Sequence, residues 1–210
     1  TFWRAPFVQP EEVAADYYAV VGMPNEATLS TRTGTRFGPK AIRQNSVHFV
    51  AQTRATPARE YVSIATGKKT KIPDHLRLVD AGDALIFPND LQRTSDSIAS
   101  TIRKITERKA YPISLGGDHY IAFPIMTGFC EGMRAGRGCE KFGYIQIDAH
   151  LDAADENYVW GTHWHGSNAR LISDIRGVDK KNMAWIGING STWTEEWDFA
   201  NSGGACLITR

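Results

Sequence analysis

Short runs of apolar and β-branched residues alternate along the chain with segments whose apolar positions recur every three or four residues. Strand and helix in alternation build a mainly parallel sheet with helices on both faces. The first strand is predicted over 17–21, ending at Gly22. Pro39 then opens a short helix over 40–44, at a position where its missing N–H costs nothing. Residues 77–79 read as another strand that runs into the turn-forming Asp80, Ala81, Gly82 and Asp83. Ser95 is placed to cap a helix in which Ile98, Ile102 and Ile105 fall at spacings of four and three, one apolar stripe for the sheet. Strands follow over 111–115, broken by Gly116 and Gly117, and over 143–147, ending at Asp148. A helix over 169–175, a strand over 183–188, a helix over 193–200 and a strand over 205–209 complete the series. The fold class is α/β, a single three-layer domain with a mainly parallel central sheet, and no shift in composition divides it. A doubly wound sheet ending on a strand with no helix to cover it leaves one face exposed, so the polypeptide is expected to continue beyond Arg210.

Charge changes the picture by exclusion. The 210 residues carry 24 basic and 23 acidic side chains, a net charge of +1, which leaves no electrostatic footprint for nucleic acid. Lys68, Lys69 and Lys71 read as a solvated loop. No apolar run approaches the roughly 20 residues of a membrane helix, so no membrane partner is expected. Three cysteines, Cys130, Cys139 and Cys206, are an odd number without metal or redox spacing, which suits a reducing compartment, the cytoplasm. The first residue is Thr1 and no signal core follows it, so the chain reads as trimmed at its start.

The candidate chemistry is concentrated. Four of the six histidines lie between positions 119 and 165, among Asp118, Asp148 and Asp152. Asp148, His150 and Asp152 are spaced two apart, so in an extended segment their side chains leave one face while Ala149 and Leu151 point to the other. Gly116-Gly117-Asp118-His119 ends the preceding strand, and its paired glycines allow close backbone approach. Two strand ends therefore aim donors at one spot, where α/β proteins place their sites. Aspartates that merely cap helices would explain either motif alone. Carboxylates and imidazoles without thiolate suit Mn²⁺, or else Ni²⁺, better than structural zinc.

These residues resemble the ureohydrolase family, the arginases, agmatinases and related hydrolases of guanidino compounds. The resemblance rests on Gly116-Gly117-Asp118-His119, on Asp148-Ala149-His150-Leu151-Asp152, on His165-Gly166, and on Thr35-Arg36-Phe37-Gly38-Pro39 followed by Ala41-Ile42-Arg43, in the family's order over nearly the whole chain. It implies an arginase-like fold and a pair of divalent metal ions. His119 would hold one ion and His150 the other, Asp148 would bridge them, and Asp152 would complete the set, with Asp118 and Asp83 behind them. It also implies hydrolysis to urea, or a substituted urea, and an amine by a metal-bridging hydroxide, with His165 in proton transfer or substrate positioning. The family's later Asp-x-Asp pair and glutamate do not occur before Arg210. The chain is therefore expected to be incomplete at its C-terminal end; the alternative is a non-catalytic partner subunit of the same fold.

Substrate choice falls to the loop between Asp152 and His165. The positions that would bind an α-amino-acid head in arginases hold Ala154, Gly161 and His163, which argues against L-arginine. His163, Trp164 and Asn168 are the candidate substrate contacts, and Tyr158 and Trp160 make the loop aromatic enough to wall a cation. Agmatine, 4-guanidinobutyrate, a compact or N-alkylated guanidine, or a formimino compound stay open as substrates. The resemblance further implies a homo-oligomer, a trimer or hexamer.

Overall fold

The computed structural model describes residues 1–55, 60–71 and 77–209. In chain order these form β1 (Tyr18–Met23), α1 (Gly38–Ala55), β2 (Glu60–Val62), β3 (Lys69–Lys71), β4 (Leu78–Asp83), α2 (Leu91–Glu107), β5 (Tyr111–Gly116), α3 (Ala122–Arg137), β6 (Phe142–Ile147), α4 (Asn168–Ser173), β7 (Val178–Ile188), α5 (Thr194–Asn201) and β8 (Cys206–Thr209), with short 3₁₀ turns between them. The expected parallel α/β architecture is present. Its strands stand in two three-stranded groups ordered β4-β1-β5 and β6-β7-β8, every pairing within them parallel. Among the described residues no helix is long and apolar enough to cross a membrane.

Layering follows from side-chain alternation along the strands. Ala19, Val21 and Met23 of β1 pack with Ile98, Ile102 and Ile105 of α2 in one core cluster. The opposite face of β1 meets α1: a Cβ on Gly22 would lie 2.9 Å from Nη1 of Arg43. A second cluster gathers Met183 and Trp185 of β7 with Phe142, Ile172 and Phe199. Helix α3 joins the two, because Phe129 packs against both clusters.

Several expected elements changed extent. Helix α1 runs 18 residues, well beyond the short segment predicted behind Pro39. The turn expected at 80–83 is the end of β4, because Asp80 is buried and bonded by Arg43 at 2.8 and 2.9 Å, so its charge is met within the sheet. Ser95 does not cap α2. Asp90 does, accepting from the Arg93 N–H at 2.9 Å, while the Ser95 hydroxyl donates to the Leu91 carbonyl inside the helix. Lys69 and Lys71 are solvated as expected but belong to a strand, paired with Glu60–Val62 in a hairpin. Helix α3 was not foreseen, since Pro124 and the glycines at 128, 132 and 136 disfavour helix by propensity. Those glycines face α2: a Cβ at Gly128 would lie 2.9 Å from Cα of Ala99, and one at Gly132 would lie 2.7 Å from the Arg103 carbonyl. Close packing of two backbones outweighs propensity here.

Candidate metal centre and its cavity

Parallel register brings the strand ends level. Met23 pairs with Gly116, so the loops after β1 and β5 leave together. They are tied by Asp118, which is buried and accepts from the Asn25 side chain at 3.1 Å and from the N–H groups of Thr28 and Tyr120 at 3.2 and 3.1 Å. Gly117, at φ 35°, lets this loop lie against the Asn25 backbone. Burial raises the Asp118 carboxyl above its ordinary value, against the lowering effect of those hydrogen bonds. The next residue, His119, opens a 3₁₀ turn.

The Asp148–Asp152 segment is not the extended run that two-residue spacing suggested. β6 ends at Ile147 and the chain bends, with Asp152 in the left-handed region at φ 47°. Leu151 is buried as expected, whereas Ala149 is exposed. The bend is held from below. The buried Trp185 indole donates to the Leu151 carbonyl at 2.9 Å, and the Gln146 amide donates to the His150 carbonyl at 3.2 Å and to an Asp152 oxygen at 3.3 Å.

This geometry brings His119, Asp148 and Asp152 together. Nδ1 of His119 lies 2.7 Å from Oδ2 of Asp152 and 3.4 Å from Oδ2 of Asp148. One donor atom from each of the three falls within 4.8 Å of the others, and all three side chains are part-buried. His150 stands outside that trio and is mostly exposed, but its Nδ1 is 3.6 Å from the other Asp148 oxygen. Asp148 thus turns Oδ2 toward His119, while its Oδ1 accepts the His150 backbone N–H at 2.9 Å on the side of the second imidazole. Burial disfavours the charged form of His119, yet its hydrogen bond to Asp152 and the charges of Asp152, Asp148 and Asp118 outweigh it and raise its pKa. An imidazole and two carboxylates at one point fit a hard or borderline divalent cation. Asp83 is not part of that trio; it pairs with Arg43 at 2.5 Å.

Above the trio opens a cavity of about 1570 Å³, walled by the 154–160 loop, by Trp164 and His165, and by 188–198 leading into α5. His165 is anchored by its own N–H to the Thr28 carbonyl at 3.2 Å and by Nε2 to the Ser30 hydroxyl at 2.7 Å. Trp164 stacks on Trp160 with ring centroids 4.8 Å apart. The other two candidate substrate contacts lie off the cavity wall. His163 packs edge-on against Tyr120 and Phe123, each at 6.2 Å. Asn168 is fully buried and donates to the His119 carbonyl at 3.1 Å, holding the turn that presents the imidazole. Residue spacing gives no sign of either orientation, because both depend on how this part of the chain folds back on the 3₁₀ turn at His119 and the start of α3.

Sequence reasoning missed Ser30, Gln146 and the α5 wall. Gln146 was findable: a buried polar residue in a strand two positions before Asp148 needs partners, and the nearest candidates are the motif itself. Ser30 and Trp193 carry no such signal, since only tertiary structure brings them to the site.

Parallel strands whose carboxyl ends gather an imidazole and two carboxylates beneath an open cavity define an α/β protein equipped to hold metal. The chain belongs to the Arginase family, whose model matches residues 16–209. It is 31% identical to the guanidinobutyrase of Pseudomonas aeruginosa over 93% of this chain and 56% of that protein. It is likewise 31% identical to the mitochondrial guanidino acid hydrolase of Homo sapiens, over 84% of this chain and 45% of the other. The proclavaminate amidino hydrolase structure from Streptomyces clavuligerus superposes with a TM-score of 0.76 at 29% identity, covering all of this chain and 63% of that one. The chain spans about half the length of the curated relatives it matches.

Proposed function

We propose that the protein to which this chain belongs hydrolyses a guanidino compound to urea, or a substituted urea, and an amine. The observation that supports this most is the convergence of His119, Asp148 and Asp152 at strand ends in a chain of the Arginase family. His119, Asp148, His150 and Asp152 would hold two divalent ions, Mn²⁺ first and Ni²⁺ second. Such ions, when bound, acidify water and stabilise negative charge on an attacked carbon centre.

The chain's own residues have separate tasks. Asp148 turns Oδ2 toward His119 and keeps Oδ1 on the side of His150, which suits a carboxylate shared between two cations. Gln146 and the bend at Asp152 fix the second carboxylate. His165, held at Nε2 by Ser30, lines the cavity where a leaving nitrogen needs a proton, and either delivers it or orients the guanidinium. Trp164, backed by Trp160, offers an aromatic face to a cation.

Metal analysis joined to a urea-release assay across agmatine, 4-guanidinobutyrate, guanidine and alkylguanidines tests this reading, with formiminoglutamate as the formimino arm. Two bound ions and urea from at least one guanidine are expected. A metal-free protein inert toward all of them would instead fit the non-catalytic partner subunit. A cytoplasmic setting rests on the sequence alone, three cysteines being an odd number without metal or redox spacing. The trimer or hexamer is checked by sedimentation.

A further inference from the structure

The charge of the cavity wall bears on which guanidino compound enters. Seven carboxylates line the cavity, and among the described residues no lysine or arginine does. Four of the seven are already engaged: Asp148 and Asp152 in the trio, Asp155 with Arg170 at 3.4 Å, and Glu196 with the Thr192 hydroxyl. Glu156, Glu195 and Asp198 remain, exposed and without a cation partner among the described residues. Glu195 sits with Glu196 in the first turn of α5. The partial positive charge that this turn would offer an anion is met from within. Beside these acids stand Trp193 and Trp197, both exposed, whose ring faces attract cations and repel carboxylates.

We infer that this cavity selects guanidino compounds whose remainder is cationic or uncharged, and rejects those that end in a carboxylate. The inference rests on the hydrolase reading for the guanidino end and concerns the tail alone. A carboxylate tail would meet unpaired side-chain charges of its own sign, and among the described lining residues no lysine or arginine stands ready to receive it. An amine tail meets three unpaired carboxylates, and an alkyl tail meets indole.

The test is calorimetric binding to the Mn²⁺-loaded protein of three probes on one frame: 4-guanidinobutylamine, butylguanidine and 4-guanidinobutyrate. The first two are expected to bind roughly tenfold or more tighter than the third, with the gap for the amine narrowing as salt is added. A Glu195→Lys/Asp198→Lys double variant, both sites being exposed, should close the gap, whereas Asp179→Lys on the far end of β7 should leave it. Equal or tighter binding of 4-guanidinobutyrate, or a gap that survives the double variant, overturns the inference. Urea release is measured on the same samples. Probes that bind in the expected order but release no urea defeat the hydrolase reading and leave the selectivity standing. Fastest urea release from 4-guanidinobutyrate does the reverse, and binding by none defeats both.

Discussion

At the scale of single residues, His119 makes the metal centre a competitor of protons. Its carboxylate neighbours raise the imidazole's pKa above the ordinary 6.5, so the metal-free protein keeps that proton to higher pH and a cation must displace it. Mn²⁺ affinity should therefore climb with pH through the imidazole range and level off above the raised value, with a proton released per binding event in calorimetry. Asp152→Ala removes a ligand and the His119 hydrogen bond together, and metal content should drop to background. Ser30→Ala is a gentler change. It frees Nε2 of His165 and removes one hydrogen bond, about 1 kcal/mol, so kcat should fall roughly fivefold while metal content stays at the parent level. Loss of metal in that variant would show that Ser30 supports the loop and not the histidine.

Elements are held in place by contacts that spacing alone does not reveal. Arg43 of α1 reaches Asp80 and Asp83 at the end of β4 and the Gly82 carbonyl at 2.7 Å. Burial pushes the Asp80 carboxyl up, but bonds from Arg43 and the Phe2 and Gly82 N–H groups pull it below its ordinary 3.8. A depressed value means stability present above about pH 3.8 and lost as pH falls through the lower folded value. Arg43→Met, which strands a buried carboxylate, should cost about 3 kcal/mol or more in denaturant titration at neutral pH and weaken that acid limb. Gly132→Ala forces a methyl against the Arg103 carbonyl and should cost roughly 1–3 kcal/mol by thermal melting. The strand sequence and the α2 stripe were legible because β-branched runs and the spacing of Ile98, Ile102 and Ile105 report burial directly. The three donors of the trio were legible too, His119 from the double glycine before it and Asp148 and Asp152 from the shared motif that follows a strand end. Helix α3 was not, because its glycines act through a neighbour over 20 positions away. Nor was the bend at Asp152, which depends on Trp185 from another strand.

Across the whole molecule, one face of the β6-β7-β8 group is open among the described residues, with Ile145 66% and Ile147 80% exposed. Parallel strands are ordinarily covered on both faces, so this strip should bind a hydrophobic dye, and Ile145→Lys/Ile147→Lys should lower that fluorescence without changing metal content. The arrangement of the two strand groups has a different outcome for how the molecule comes apart. Phe129 touches both cores, and α3 carries the chain from one group to the other. Cooperative melting of the two halves then depends on this shared helix, which gives Met126 and Cys130 to one core and Ile125 to the other: truncating Phe129 to alanine should broaden the single calorimetric peak.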